Sequence, residues 1–166
     1  MNEQLNAIFL LENVSEDDYW DPNSPAEEES ILKVEQGLNQ DFPEDYKQFL
    51  LYADGGSLDG RNNVINLFAV QDVGFFTLDP TERLGKNLPG MIIFGNDNGD
   101  CIYYFDPINY LGKGYWATYL AYSSRRFEYS SYVARDFTHL IHCILRGDSI
   151  YNLGFLQEEG IIHKPD

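Results

Sequence analysis

Two histidines and a cysteine near the C-terminal end are the side chains best suited to bind a transition metal. His139, His142 and Cys143 lie in the stretch HLIHC, where a three-residue spacing can place both imidazoles on one helix face. The glutamate of a zinc-protease motif is missing, and the apolar neighbours Leu140 and Ile141 are typical of the packed face of a helix. We therefore expect histidines at the edge of a packed helix and no metal site.

The double glycine Gly55-Gly56 raises the question of a phosphate-binding loop. Such a loop follows a strand, opens a helix, and carries Lys and then Ser or Thr. Here the glycines close the helical pattern DFPEDYKQFLLYADGG (41–56), and the flanking Asp54 and Asp59 would repel a phosphate. The glycines are predicted to end a helix, because glycine adopts the left-handed conformation of a C-terminal cap without strain.

The stretch GNDNGD (Gly95–Asp100) resembles a calcium loop in its carboxylates. An EF-hand loop needs a bidentate glutamate at position twelve, and counting from Asp97 that position is Ile108. The NDNG sequence is instead a tight-turn signal between two apolar runs. We expect a hairpin with carboxylates on its rim and no bound cofactor.

Catalysis by a nucleophile has no motif in this sequence. No serine lies in a G-x-S-x-G elbow, and Cys101 and Cys143 fit neither a redox nor a protease pattern. Their apolar surroundings favour two buried thiols in a reduced cytoplasmic protein, with a single disulfide as the alternative. Carboxylate pairs occur by chance in a chain with 27 acidic residues, so an enzyme that uses such a pair is the least favoured hypothesis.

The chain carries a net charge of −16, and this charge is unevenly spread. Residues 1–60 hold 15 acidic and two basic side chains, a net of −13. Because nucleic acids and anionic membranes attract basic surfaces, we expect no direct binding to either. No apolar run has the roughly 20 residues of a membrane span, and the N-terminus lacks the basic region of a signal peptide, so a cytoplasmic location is predicted. A basic protein partner is favoured, with solubility as the alternative role of the charge.

Apolar residues recur at helical spacing early and late in the chain, while short β-branched and aromatic runs dominate the middle. The predicted helices are a short one around Leu5–Glu12, one that begins at Ser24 and Pro25 and ends at Asn39, one over Asp41–Gly55, and one over Ser131–Gly147. The predicted strands are Val64–Val70, Pro89–Gly95, Asp100–Asp106 and Gly114–Tyr122, with a weaker one at Gly74–Leu78. The acidic segment 12–25 is predicted to be a surface loop, and the tail 149–166 to pack as a short helix.

This order of elements predicts one α+β domain over residues 1–166. Helices come first, a run of strands follows, and a further helix closes the pattern, which favours a mostly antiparallel sheet of about five to six strands with helices packed around it.

The order of the motifs resembles the SUKH superfamily, also called the SMI1/KNR4 family. A helix with Glu35 and Leu38 runs into FPEDYKQFLLYADGG, similar to the family pattern E-x-x-L-G-x-x-L-P-x-D-Y-K-x-F-L…N-G-G. INLFAV stands where the family has a strand ending in a Leu-Phe pair, and MIIFGNDNGDCIYYFD resembles the family's glycine-bounded hairpin. The resemblance covers about Ala26 to Gly147, with Asn39 and Phe42 in place of the usual Gly and Leu.

Bacterial members of that family are immunity proteins of polymorphic and contact-dependent toxin systems, which bind and neutralise a cognate toxin domain, often a nuclease. The resemblance therefore implies a non-enzymatic, cytoplasmic immunity protein whose partner is a basic toxin domain, and it implies no cofactor. Fungal relatives are regulatory scaffolds, so a scaffold that binds a cellular protein is the alternative. The oligomeric state is left open.

Residues that contact the partner are expected among exposed acids beside exposed aromatics, because charge steers a partner and aromatic rings anchor it. They lie in the acidic loop, around the glycine turn, on the rim of the hairpin and near the Gly112–Gly114 loop. The candidates are Asp17, Asp18, Tyr19, Trp20, Asp54, Asp59, Asp97, Asp100, Tyr110 and Tyr115. For each of them a solvated surface role is the alternative, and motif residues such as Glu35 are expected to shape the fold.

Overall fold

The computed structural model describes residues 6–79, 90–122, 130–148 and 161–162. The helices in these ranges are α1 (Ala7–Glu12), α2 (Glu28–Leu38), α3 (Glu44–Tyr52), α4 (Val70–Leu78) and α5 (Phe137–Arg146). The strands are β1 (Tyr19–Pro22), β2 (Gly56–Asp59), β3 (Val64–Leu67), β4 (Ile92–Asn96), β5 (Cys101–Asp106), β6 (Ala117–Tyr122), β7 (Ser130–Ala134) and the two-residue β8 (Ile161–Ile162).

The strands form one antiparallel sheet in the order β1 to β8, so each strand pairs with its neighbours along the chain. The predicted α+β class is confirmed. The sheet has more strands than the five to six expected, because the acidic segment, the glycine turn, the start of the last predicted helix and the tail each supply one.

Aromatic rings from two helices and the sheet form the centre of the core. Tyr46 of α3 lies 5.0 Å from Phe105 of β5 and 5.0 Å from Phe137 of α5, measured between ring centroids. Phe94 of β4 stacks on Phe105 at 4.0 Å, and all these side chains are buried. Each buried ring contributes on the order of 2–3 kcal/mol, so this layer fixes the position of α3 and α5 on the sheet.

Tyrosines from three neighbouring strands form a row on the opposite face of the sheet. The strand register places Tyr104 beside Tyr119 and Tyr119 beside Tyr132. Their ring centroids are 5.3 Å and 5.9 Å apart, and the Lys113 ammonium lies 5.9 Å from the centre of the Tyr132 ring. Cross-strand aromatic pairs of this kind stabilise sheet pairing.

A buried carboxylate organises the loop after β5. Asp106 accepts hydrogen bonds from the backbone N–H groups of Tyr110 and Leu111 at 2.9 and 2.7 Å, and its carbonyl accepts one from Trp116 at 2.7 Å. A fully buried carboxylate requires such partners. The aspartate that ends the aromatic strand therefore holds the loop 107–116 in place.

The predicted strand at Gly74–Leu78 is wrong, since these residues belong to helix α4. The predicted strand over Val64–Val70 ends at Leu67. A Cβ on Gly74 would lie 3.3 Å from the Val34 side chain, so the backbone of α4 packs closely on α2. This packing overrides the β propensity of the phenylalanines, which local sequence cannot show.

The predicted helix over Ser131–Gly147 is correct only in its second half. Residues Ser130–Ala134 form β7, which pairs with β6, and α5 begins after Asp136. The Asp136 carboxylate caps the helix by accepting the N–H of His139 at 2.7 Å. Gly147 ends the helix at φ 80°, as predicted.

The acidic segment and the start of α2 also differ from expectation. The segment 12–25 contains β1, and α2 begins at Glu28 instead of at Ser24 and Pro25. The Ala26 N–H donates to the Leu50 carbonyl at 2.9 Å, and the Ser24 carbonyl accepts the N–H of Asp54 at 3.0 Å, so tertiary bonds hold these residues extended.

Asn39 ends α2 in the left-handed conformation, as predicted. Of the tail 149–166, only Ile161–Ile162 are described, and they form a strand and not the expected helix. The rest of the tail lies outside the described residues, as do Leu5 and Pro89 of the predicted elements.

Candidate protein-binding surface

Antiparallel pairing brings three segments that carry acids to one end of the sheet, and in one of them Arg61 balances the charge of Asp59. Tyr19, at the start of β1, lies opposite Asp59, at the end of β2. Asn66 of β3 lies opposite Asn96 of β4, so the β4–β5 turn projects beyond the start of β3, beside the β2–β3 turn. Neighbouring strands are about 4.8 Å apart. We call residues 15–19, 59–63 and 97–100 the acidic end.

Tyr19 and Asp59 present an aromatic ring and a carboxylate side by side. Tyr19 is 63% exposed and Asp59 is exposed on the adjacent strand. Because side chains alternate along a strand, the next residue, Trp20, points to the core, where its ring lies 6.1 Å from Phe49. The pair Tyr19 and Asp59 fits the expected exposed acid beside an exposed ring, whereas Trp20 is half-buried.

The carboxylates of Asp17 and Asp18 lie in an ordered turn before β1. Asp18 accepts the Ser15 hydroxyl at 2.9 Å, and its N–H donates to the Ser15 carbonyl at 3.1 Å. The exposed Asp17 carboxylate lies 3.6 Å from the Arg61 guanidinium. An exposed ion pair of this kind contributes at most about 1 kcal/mol, so a stronger cationic partner can displace Arg61.

The two acids of the hairpin have different surroundings. The Asp97 carboxylate accepts the N–H groups of Gly99 and Cys101 at 2.9 and 3.0 Å and so shapes the turn itself. Asp100 is exposed at the tip. Both add negative charge to the acidic end, but Asp100 is the more accessible of the two.

Three candidates lie away from the acidic end. Asp54 is half-buried and caps α4 by accepting the N–H of Val70 at 2.7 Å. Burial raises the pKa of Asp54, the Val70 bond opposes this shift, and the charge of Asp72 adds to it. Tyr110 and Tyr115 are 37% and 71% exposed, and they lie in the loop after β5, at the opposite end of the sheet. The structure does not bring these residues together with Asp17 or Asp59.

The histidines and cysteines considered for metal binding and catalysis lie in surroundings that indicate a role in the fold. His139 accepts the N–H of Arg135 at 3.3 Å, and its pKa is lowered first by burial and then by the Arg135 charge. Cys101 and Cys143 are both free and buried, and burial raises the pKa of Cys101 to about 12, which keeps that thiol protonated at neutral pH. Within the described ranges, no group of three or more His, Cys, Asp or Glu side chains could hold a metal.

Sequence reasoning missed two exposed acids of this surface, Glu16 within the acidic end and Asp21 beside it. Asp21 follows Tyr19 by two residues in β1, so both side chains point to the same face of the sheet, and both are exposed. The two-residue period would have revealed Asp21 if the segment had been interpreted as a strand.

None of the helices in the described ranges is both long and apolar enough to cross a bilayer. The fold is thus that of an α+β protein built on an antiparallel meander, with a concentration of exposed acids at one end of the sheet.

A model of the SMI1 / KNR4 family (SUKH-1) matches residues 25–142. Because this match spans more than half of the chain, the protein belongs to that family, and the resemblance predicted from the motifs is confirmed. No curated protein matches the sequence. Asp17, Asp18, Tyr19 and Trp20 precede the matched region, so the first acidic segment lies outside the part that the family model covers.

Proposed function

We propose that the protein is a non-enzymatic immunity protein that binds and neutralises a basic toxin domain, a nuclease, in the bacterial cytoplasm. The observation that carries this proposal is the acidic end, where Asp59 lies opposite the exposed Tyr19, Asp17 and Asp18 precede Tyr19 in the chain, and Asp100 is exposed in the β4–β5 turn at the same end of the sheet. Membership of the SUKH-1 family supports a protein partner, and the charge of the surface indicates that the partner is basic.

The proposed mechanism is competition for the cations of the toxin. A nuclease binds the phosphate backbone through Lys and Arg side chains. The carboxylates of the acidic end attract the same Lys and Arg side chains, and their combined electrostatic field raises the rate of association. The toxin is neutralised because its basic surface is covered and no longer reaches nucleic acid.

The test is coexpression with the toxin domain encoded immediately upstream of the gene. Protection of the host and copurification of the two proteins are the expected results. The acidic end is probed with the triple variant Asp17→Lys, Asp18→Lys, Asp59→Lys, which should slow association about tenfold at low salt and much less at high salt.

The matched control is the triple variant Glu28→Lys, Asp41→Lys, Asp72→Lys. It changes the net charge by the same amount at exposed positions outside the acidic end. Equal slowing by both variants would assign the effect to net charge and not to this surface. The absence of both protection and copurification would contradict an immunity role for that pair. Capture of a cellular protein without protection would support a regulatory scaffold.

A further inference from the structure

A groove of about 360 Å³ lies beside the acidic end. It runs between α1, the turn before β1, the β2–β3 turn and the last turn of α5. Its apolar lining comes from Phe9, Leu10, Val14 and Leu145, and Asp18 and Arg61 stand at its rim. Since Asp18 and Arg61 also belong to the acidic end, the groove and that surface are continuous.

The walls of the groove are held in place by the core and by hydrogen bonds. Ala7 and Leu11 of α1 are buried in the core beneath it. At the other wall, the Asn62 amide donates to the carbonyl of Gly147 at 2.5 Å and ties the β2–β3 turn to the end of α5. Phe9 nevertheless remains 46% exposed. An exposed aromatic ring in a preformed groove is typical of a surface that another molecule covers.

The charges around the groove favour a cationic partner. Residues 12–22 include five acidic and no basic side chains. The two arginines that line the groove are each paired, Arg61 with Asp17 at 3.6 Å and Arg146 with Asp148, whose carboxylate oxygens lie 2.9 and 3.0 Å from its Nε. The rim therefore keeps an excess of negative charge around an apolar floor.

We propose that this groove receives one aliphatic or aromatic side chain of the basic partner, while the Lys and Arg residues on either side of that side chain bind the acidic end. This inference rests on the proposed function and identifies the contact that supplies the affinity for the partner. The carboxylates govern the rate of encounter, and burial of the apolar side chain governs the lifetime of the complex.

The test uses two peptides and the full isotope-labelled chain, followed by NMR titration. The peptides are acetyl-KKLKK-amide and its control acetyl-KKSKK-amide. The leucine peptide should bind about tenfold more tightly, because only it buries an aliphatic side chain. Its binding should shift the methyl signals of Leu10, Val14 and Leu145.

Two variants locate the effect. Ser15→Trp places a large ring at the exposed rim and should remove the preference for the leucine peptide. The control Gln71→Trp places the same ring on the exposed side of α4 and should leave the preference for the leucine peptide unchanged. If Ser15→Trp does not fold, Phe9→Ser, which removes an apolar wall, should reduce the preference several-fold.

The outcomes separate this inference from the proposed function. Equal affinity of the wild type for the two peptides, or a preference that persists in Ser15→Trp, would overturn the groove while leaving charge attraction intact. A copurified toxin domain that dissociates from the wild type and from Ser15→Trp at equal rates would also overturn the groove, because blocking the groove should shorten the lifetime of the complex. If neither peptide binds at low salt, both the groove and the electrostatic basis of the proposed function fail. A wild-type dimer that Ser15→Trp dissociates would assign the groove to a second copy of the chain.

Discussion

The connection between α2 and α3 and the acidic end are both acidic, yet they use their carboxylates in opposite ways. Glu35 of α2, which binds this connection, is only 5% exposed, accepts the N–H of Phe42 at 2.7 Å and lies 2.9 Å from the Lys47 ammonium. At the acidic end, Asp59 is exposed to water and Asp17 has only a loose ion pair. A buried carboxylate is tolerated only with such partners, whereas an exposed one extends a field into solvent.

This difference shows that acidic composition alone does not assign a role to an acid. Asp106 and Asp54 resemble Glu35, since each holds the backbone of a neighbouring segment. Asp97 combines the two roles, because it shapes its turn and also charges the surface. We therefore expect substitutions of buried acids to change stability and substitutions of exposed acids to change association.

The largest effect is expected for Glu35→Ala. This change leaves the buried N–H of Phe42 without its acceptor and removes the partner of Lys47, which should lower the free energy of unfolding by about 3 kcal/mol. Urea denaturation measures it. Glu35→Gln keeps an acceptor for Phe42 and should cost less, and Glu28→Ala, exposed on the same helix, should stay within about 0.5 kcal/mol. Equal losses in the free energy of unfolding for Glu35→Ala and Glu28→Ala would contradict the difference between buried and exposed acids.

Asp106→Ala should have the next largest effect and lower the free energy of unfolding by about 2 kcal/mol. It removes the acceptor of two backbone N–H groups in the loop after β5. The amide chemical shifts of Tyr110 and Leu111 should move toward random-coil values. Asp106→Asn does not rescue the loop, since one of its two oxygens is replaced by a donor that faces another donor. Asp100→Ala is the exposed control, and a similar loss there would argue against the role of burial.

Charge reversal at the acidic end should have little effect on stability. The triple variant Asp17→Lys, Asp18→Lys, Asp59→Lys should change the free energy of unfolding by less than about 1 kcal/mol. Asp17 and Asp59 are exposed, and the half-buried Asp18 loses a hydrogen bond from the exposed Ser15. Urea denaturation at low and high salt checks this. A loss comparable with that of Glu35→Ala would show that the acidic end has a structural role.

The smallest expected effect is the pH dependence of stability that the titration of Asp54 causes. Its pKa is raised from an ordinary value near 3.8, chiefly by burial, so the folded state holds the proton more tightly than the unfolded state. The resulting stabilisation is complete below the unfolded pKa and is lost as the pH rises through the folded pKa. Asp54→Asn keeps the acceptor for Val70 and lacks this titration.

Wild type should therefore gain stability relative to Asp54→Asn when the pH falls from 7 to 4. Urea denaturation at both pH values measures the difference. A relative loss on acidification would mean that the bond from Val70 outweighs the effect of burial on Asp54.

Local sequence signals suffice for part of the fold. The apolar spacing of Tyr46, Phe49 and Leu50 predicts α3. The predicted glycine cap is wrong, because the helix ends at Tyr52 with Ala53 extended, and Gly55 at φ 80° instead turns the chain into β2. The NDNG turn predicts the β4–β5 hairpin. In both places the residues that determine the structure lie within a few positions of one another.

The remaining elements depend on contacts that are distant in sequence. Helix α4 is capped by Asp54 and packs on Val34, and β7 is a strand because it pairs with β6. The candidate surface shows the same limit. Proximity of Tyr19 to Asp59 follows only from the register of β1 with β2, and the burial of Trp20 follows from the two-residue period of a strand that composition did not reveal.

The place of β1 at the border of the sheet has a consequence for local motion. This strand has four residues, pairs only with β2 among the described strands, and ends in Pro22, which has no N–H to donate. Its backbone amides should exchange with deuterium sooner than those of the central β5, because fewer neighbours must separate. A protein bound at the acidic end would slow exchange in β1 most, so deuterium exchange in this strand would report binding at the proposed surface.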